Sequence, residues 1–214
     1  MVCASQHGLF YPLRLGDEVN FRLTYDGPLK AASQSDTRRV EKHDMRCVFD
    51  RQLTELFGQH SALKAEFEDP KLSGTIQAIF GGRYKRGPFH CIPVVRQDLN
   101  LVCDLDILFL RRDNPGQLIS TGGDLDNRLK VLFDALRVPQ DDNEVRGFSA
   151  QDRHGLLVCL LEDDKLITGF RVTTDRLLEP ATAEQSQNDV RLIINVEIKV
   201  TKLTPENMAY FSHF

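Results

Sequence analysis

The sequence predicts an α+β fold, with a single mixed β-sheet and two main helices packed on it. Three observations predict this class. Alternating apolar residues predict strands at 18–26, 99–111, 165–174 and 189–201. Helical periodicity of apolar residues predicts helices at about 37–57 and 125–137. No internal repeat is present, and a hydrophobic share of 41% is sufficient for a core.

The clearest elements are the last strand and the second helix. In the strand at 189–201, alternate residues are apolar from Val190 to Val200. The helix at 125–137 carries one apolar stripe, formed by Leu125, Leu129, Leu132, Phe133 and Leu136, and Pro139 stops it. Shorter strands are expected at 74–82 and 88–96, around a glycine-containing turn.

Length and composition indicate a soluble protein of one domain. The 214 residues fit a single domain spanning 1–214. No apolar run is long enough for a membrane span and the first residues do not resemble a signal peptide, so we expect a cytoplasmic protein without a membrane partner. The five cysteines are far apart and lack zinc-ligand spacing, which favours buried free thiols.

Basic residues are concentrated in two places, although the net charge is −4. The first group is Arg38, Arg39, Lys42 and Arg46, and the second is Arg83, Lys85 and Arg86. On the first predicted helix, Arg38, Lys42 and Arg46 share one face. This face is either a solvated surface or a surface that contacts nucleic-acid phosphates, and the sequence leaves both open.

The segment GDLDNRLK carries the candidate chemistry. Asp124 and Asp126 straddle a predicted helix start, and Lys130 follows on the same face as Asp126. A second acidic segment ends in Asp163 and Asp164. If Asp164 lies beside Asp124 and Asp126, their oxygen ligands would suit Mg²⁺ or Mn²⁺. The alternative is an N-capping aspartate, a surface ion pair and an acidic turn.

The string DLDNRLKVLFDAL resembles the core signature of the RusA family of Holliday-junction resolvases. EDDKLITGFRV resembles the family's second signature, VRLIINVEIKV its last strand and, weakly, FRLTYDGPL its first. The resemblance implies a RusA-like fold in which Asp124, Asp126 and Asp164 bind the metal and Lys130 is the catalytic or phosphate-contacting cation. It also implies a homodimer that cuts branched DNA with Mg²⁺. Arg128, inside the motif, joins the basic residues above as a candidate DNA contact.

The chain departs from the family pattern in three ways. A rival pair, Asp141-Asp142, follows the helix more closely than Asp163-Asp164 does, so Asp142 and Asp163 remain alternative ligands. The chain is longer than compact members, with extra material in 31–98 and expected insertions near 139–160 and 178–189. The basic run before the first aspartate is reduced to Arg111 and Arg112.

The sequence therefore predicts a metal-dependent endodeoxyribonuclease that acts on branched DNA and uses no nucleotide cofactor. One alternative is a nucleic-acid-binding protein of the same fold with weak or lost activity. Another is a protein-interaction module in which the insertions are the working part. Asp104 and Asp106 are either further ligands or the polar side of a strand, and the histidines at 43, 60, 90 and 154 are interpreted as structural.

Overall fold

A computed structural model describes most of the chain. The described residues are 19–30, 35–59, 82–112, 125–149, 155–178, 188–204 and 207. Asp124, most of the predicted strand at 74–82 and most of the expected insertion at 178–189 lie outside these ranges.

The described residues form two α-helices and seven strands. In chain order they are β1 (Val19–Pro28), α1 (Ser35–Gln59), β2 (Lys85–Arg86), β3 (Phe89–Val95), β4 (Leu101–Arg111), α2 (Leu125–Leu136), β5 (Leu156–Leu161), β6 (Ile167–Arg176) and β7 (Asp189–Val200). Two short 3-10 turns, Asp142–Val145 and Asp164–Leu166, precede β5 and β6. The α+β class and the predicted positions of both helices are confirmed.

Four strands form the larger sheet, in the order β1-β7-β4-β6. β7 is antiparallel to both β1 and β4, while β6 is parallel to β4. Alternate residues of β4 and β7 are buried, because α1 and α2 cover only one face of this sheet. On the other face, Lys199 donates to the Asp104 carboxylate at 2.6 Å. Asp104 thus belongs to the polar side of a strand, as one of the two interpretations expected.

The prediction of a single sheet is wrong, because β2, β3 and β5 form a second mixed sheet. β3 and β5 are parallel, and nearly every residue of both is buried. β5 is a run of six apolar residues, LLVCLL, without the alternation that identifies a strand with one solvated face. Its residues were therefore placed within the expected insertion at 139–160.

α1 lies against both sheets and against α2. Met45, Phe49 and Leu53 recur every four residues on its inner face, and all three are buried in the main core. α2 contributes Leu129 and Leu132 to the same core. None of the helices in the described ranges is both long and apolar enough to cross a membrane.

His43 is buried on α1, with its ring stacked on Phe148 at a centroid distance of 3.8 Å. Burial, assisted by the charge of Arg46, lowers its pKa from 6.5 to about 4. As the pH falls below 6.5, the unfolded chain takes up a proton at His43 that the folded chain does not. Stability is therefore lost as the pH falls from about 6.5 towards 4.

We expect His43→Phe to remove this part of the pH dependence while keeping the ring stacking. Urea denaturation at pH 7.0, 5.5 and 4.5 measures the effect. Between pH 7 and about pH 4.5, the free energy of unfolding should fall by about 2 kcal/mol less in the variant than in the wild type. Parallel pH profiles of the two proteins would contradict a buried neutral imidazole.

Candidate nucleic-acid and metal site

The first turn of α2 presents two charged side chains to solvent. Asp126 and Lys130 have exposed side-chain fractions of 61% and 72%, and Lys130 Nζ lies 3.6 Å from Asp126 Oδ2. An ion pair this exposed contributes little to stability, so the fold does not depend on either side chain. Asp126 therefore offers carboxylate oxygens next to a flexible cation.

Arg128, on the buried side of the same turn, has a different role. It is 3% exposed, and its Nη1 donates to the carbonyl oxygen of Leu29 at the end of β1. This contact ties the start of α2 to the end of β1. Burial removes Arg128 from the predicted DNA contacts.

A hydrogen bond connects the first turns of α1 to the same end of the larger sheet. The backbone N–H of Lys30 donates to Glu41 Oε1 at 2.6 Å. Burial raises the pKa of Glu41, while the Lys30 N–H and the cations Lys30, Arg128 and Arg38 oppose that rise. Arg38 and its neighbour Arg39 are half-buried on the first turns of α1.

β4 and β6 bring further arginines to this end of the sheet. β4 finishes at Arg111, which pairs with Arg176 at the end of β6, and Arg112 follows. Arg111 is buried, with 4% of its surface exposed, so it is not counted as a DNA contact. We call Arg38, Arg39, Arg112 and Arg176 the arginine end. Arg176 is exposed and was missed by the sequence analysis, although its place at the end of a strand parallel to β4 could have indicated it.

The paired aspartates 163 and 164 lie elsewhere on the molecule. Asp163 accepts from the Lys165 N–H at 3.0 Å and caps a 3-10 turn, whereas Asp164 is exposed. Their position is fixed from both sides along the chain. Before them, the Leu161 carbonyl oxygen accepts from the Val138 N–H at 2.8 Å.

On the C-terminal side of Asp163 and Asp164, the Phe170 ring contacts the Phe133 ring at a centroid distance of 5.5 Å. Both anchors, Leu161 and Phe170, therefore lie near the C-terminal end of α2. Asp126 is on the first turn of α2, about 15 Å along the axis from its last residue, Leu136, at the usual helical rise. One chain does not bring Asp164 to Asp126.

The rival pair, Asp141-Asp142, does not reach Asp126 either. Asp141 accepts from the N–H groups of Asn143 and Glu144 at 2.9 and 3.2 Å. Asp142 accepts from the Gly87 N–H at 2.7 Å. Asp141 therefore caps the 3-10 turn after α2, and Asp142 connects that turn to the turn between β2 and β3. Within the described ranges, no group of three or more His, Cys, Asp or Glu side chains is arranged to hold a metal ion.

The part of the basic face of α1 that carries Lys42 and Arg46 points inward, which corrects the expectation of a solvated or DNA-contacting surface there. Arg46 is 1% exposed and donates to the Glu144 carboxylate and to the Asp134 carbonyl oxygen. Lys42 Nζ lies 3.3 Å from the Asp134 carboxylate and 3.8 Å from that of Glu144. Arg137 pairs with both carboxylates, at 2.6 and 3.2 Å. These residues form a buried charge network between α1 and α2, so we exclude Lys42 and Arg46 from the candidate DNA contacts.

The second basic group lies around β2. Arg86 donates through Nε to the Pro139 carbonyl oxygen at 2.6 Å, which holds it in place. Arg83 is half-exposed and pairs with Glu162 at 2.6 Å. Lys85 is exposed. Only Arg83 and Lys85 of this group present substantial charge to solvent.

Comparisons with protein-family models, with curated proteins and with solved structures found no match.

Proposed function

We propose that the chain is a Mg²⁺-dependent endodeoxyribonuclease that acts on branched DNA such as Holliday junctions. One observation carries the proposal. Asp126 and Lys130 stand exposed on the first turn of α2, which Arg128 ties to the sheet end that carries the arginines. A carboxylate, a mobile cation and several guanidinium groups together suit a phosphodiester substrate.

The arginine end supports binding of the DNA backbone. Guanidinium groups bind phosphate oxygens through two hydrogen bonds, and the positive dipole end at a helix start favours anions. These features concentrate positive charge locally in a chain whose formal net charge is −4. DNA affinity should therefore fall steeply as the salt concentration rises.

Asp126, together with Asp124, supplies the oxygen ligands that Mg²⁺ or Mn²⁺ prefers. When bound, a divalent ion supplies an activated water and a counter-charge for the departing oxygen. Lys130 sits one turn beyond Asp126, where its ammonium group offsets the negative charge that develops on the phosphate.

Asp164 joins this site only if it comes from a second copy of the chain. Within one chain it lies near the other end of α2, as its anchors at Leu161 and Phe170 indicate. A two-fold dimer supplies the missing carboxylate to each site, and it also presents two equivalent sites to the two symmetric strands of a junction.

A DNA-binding protein without cleavage activity is the second candidate. It is favoured by the positions of Leu161 and Phe170 near the C-terminal end of α2, which hold Asp164 away from Asp126 within one chain. Binding and cleavage assays on one protein preparation distinguish the two functions. Both predict salt-sensitive binding to branched DNA, whereas only the nuclease produces strand cuts that require a divalent ion.

Lys130→Ala should lower the cleavage rate by about a hundredfold, the typical effect of removing one group that stabilises transition-state charge. The folded structure should be unchanged because the side chain is exposed. Single-turnover cleavage of a labelled four-way junction and far-UV circular dichroism measure the two effects. Lys130→Arg is the matched control, since it keeps the charge and should retain most of the rate. Full activity of the alanine variant would remove Lys130 from the mechanism.

A further inference from the structure

The strands at the edges of the two sheets differ in how their outer backbone groups are satisfied. On β1, Gln52 donates to the Thr24 carbonyl oxygen at 2.7 Å and accepts from the Thr24 N–H at 2.9 Å. On β5, the Asp50 carboxylate accepts from the Val158 N–H at 2.7 Å. β2 has only two residues. These three edges are therefore protected or short.

Within the described part of the chain, β6 has one such contact, at its last residue, where the Arg176 N–H donates to the Asp175 carboxylate at 2.7 Å. It is ten residues long, ends the order of the larger sheet, and has β4 as its one described strand partner. It contains no proline and carries Phe170, which is 58% exposed. Long unprotected edges with exposed apolar residues bind another strand readily, and natural proteins otherwise block them.

We propose that β6 pairs antiparallel with β6 of a second copy of this chain, centred on Thr173, so that the two larger sheets join across a two-fold axis. In this register each Thr173 faces the partner's Thr173. Arg171, two residues before the centre, then stands opposite the partner's Asp175, two residues after it. All three side chains are exposed on one face of β6.

Charge complementarity selects this register over its neighbours. Centring on Arg171 or on Asp175 would set like charges opposite each other, which is unfavourable across strands. Centring on residue 172 or 174 would leave Arg171 and Asp175 without opposite partners. The Thr173 centre gives two favourable pairs, and on the helix-covered face it sets Phe170 opposite the partner's Arg176, a cation–π arrangement.

The pairing also bears on the proposed nuclease site, and this step alone rests on the proposed function. In an antiparallel pair the start of one β6 lies beside the end of the other. Asp164 begins the 3-10 turn that precedes β6, and Arg176 ends β6 at the arginine end. Each copy therefore brings Asp164 to the same end of the joined sheet as the partner's Asp126, on the β6 side of that end.

Sedimentation velocity of the full chain, without DNA or metal, tests the interface. The wild type should be a dimer at micromolar concentration. Arg171→Asp and Asp175→Arg each turn both attractive pairs into repulsive ones, so each should weaken the dimer by at least about tenfold. An equimolar mixture of the two variants should restore a dimer, because each copy then meets its opposite charge. Lys202→Glu, a charge reversal at an exposed residue just beyond the interior strand β7, is the control that should leave the dimer unchanged.

A second variant tests the centre directly and does not depend on the strength of ion pairs. Thr173→Cys should form a dimer linked by a disulfide under mild oxidation, since residues directly opposite have Cβ atoms about 5 Å apart. Asn195→Cys, exposed on the same face but in the interior strand β7, should not.

A monomeric wild type would overturn the inference. So would a folded variant mixture that stays monomeric, or the absence of cross-linking through residue 173. A dimer with these properties that cuts no DNA would keep this interface and overturn the proposed function, so the two failures are distinguishable.

Discussion

Asp126→Asn should reduce Mg²⁺-dependent cleavage of branched DNA by about a hundredfold or more, while DNA affinity stays equal or rises. The substitution replaces a charged oxygen ligand with a neutral amide, which binds hard cations weakly. It also removes one negative charge next to the DNA phosphates, and the arginine end remains intact. Because Asp126 is exposed, with an ion pair to Lys130 as its contact, folding should be unaffected.

The matched control is Glu55→Gln, which makes the same chemical change at an exposed carboxylate on α1. Its cleavage rate should equal that of the wild type. Gel-shift titrations in EDTA separate binding from catalysis for both variants. An Asp126→Asn variant with the wild-type rate in Mg²⁺ would exclude Asp126 as a metal ligand.

Glu144→Gln should destabilise the fold by about 3 kcal/mol or more, the largest stability effect we expect from a single polar substitution here. The buried charge network contains the cations Lys42, Arg46 and Arg137 and the carboxylates of Asp134 and Glu144. With Glu144 neutral, three cations share one carboxylate. Arg46 is fully buried, so water cannot replace the lost partner.

A comparison with the stability of Lys42→Met shows whether charge balance causes this loss. That variant removes the excess cation and keeps a long apolar stem in place, so it should cost clearly less than Glu144→Gln. Urea denaturation at pH 7 gives both free energies of unfolding. Equal losses for the two variants would mean that packing, and not the charge balance, sets the stability of this region.

Elements with one buried face could be predicted from the sequence. Every second residue of β7 from Val190 to Val200 is apolar, and the apolar stripe of α2 ends just before Pro139, so both were placed within a residue or two. β5 could not, because a parallel strand buried on both faces has no alternation. The second sheet was missed for the same reason.

The orientation of the basic face of α1 depends on long-range contacts. Its arginine and lysine spacing gives a surface stripe, which was interpreted as facing solvent or DNA. Glu144, the carboxylate that receives Arg46, is 98 residues away in the chain. No local pattern in α1 indicates that partner, so the spacing alone could not show that the face is buried.

The separation of Asp164 from Asp126 follows from chain direction. β4 and β6 run parallel, so α2 returns along the sheet between them and finishes near the start of β6. Residues at the start of α2 and just before β6 therefore lie at opposite ends of the helix. The motif spacing identified both acidic segments, but it could not show that they are apart within one chain.

Incubation of the purified protein with a panel of DNA structures tests the nuclease proposal most directly. The panel contains a four-way junction, a fork, a linear duplex and a single strand, each with Mg²⁺, Mn²⁺ or EDTA. The protein should cut the branched structures with either ion, should cut nothing in EDTA, and should cleave the linear duplex only weakly. Binding of the junction without cleavage under every metal condition would contradict the nuclease and leave a DNA-binding protein.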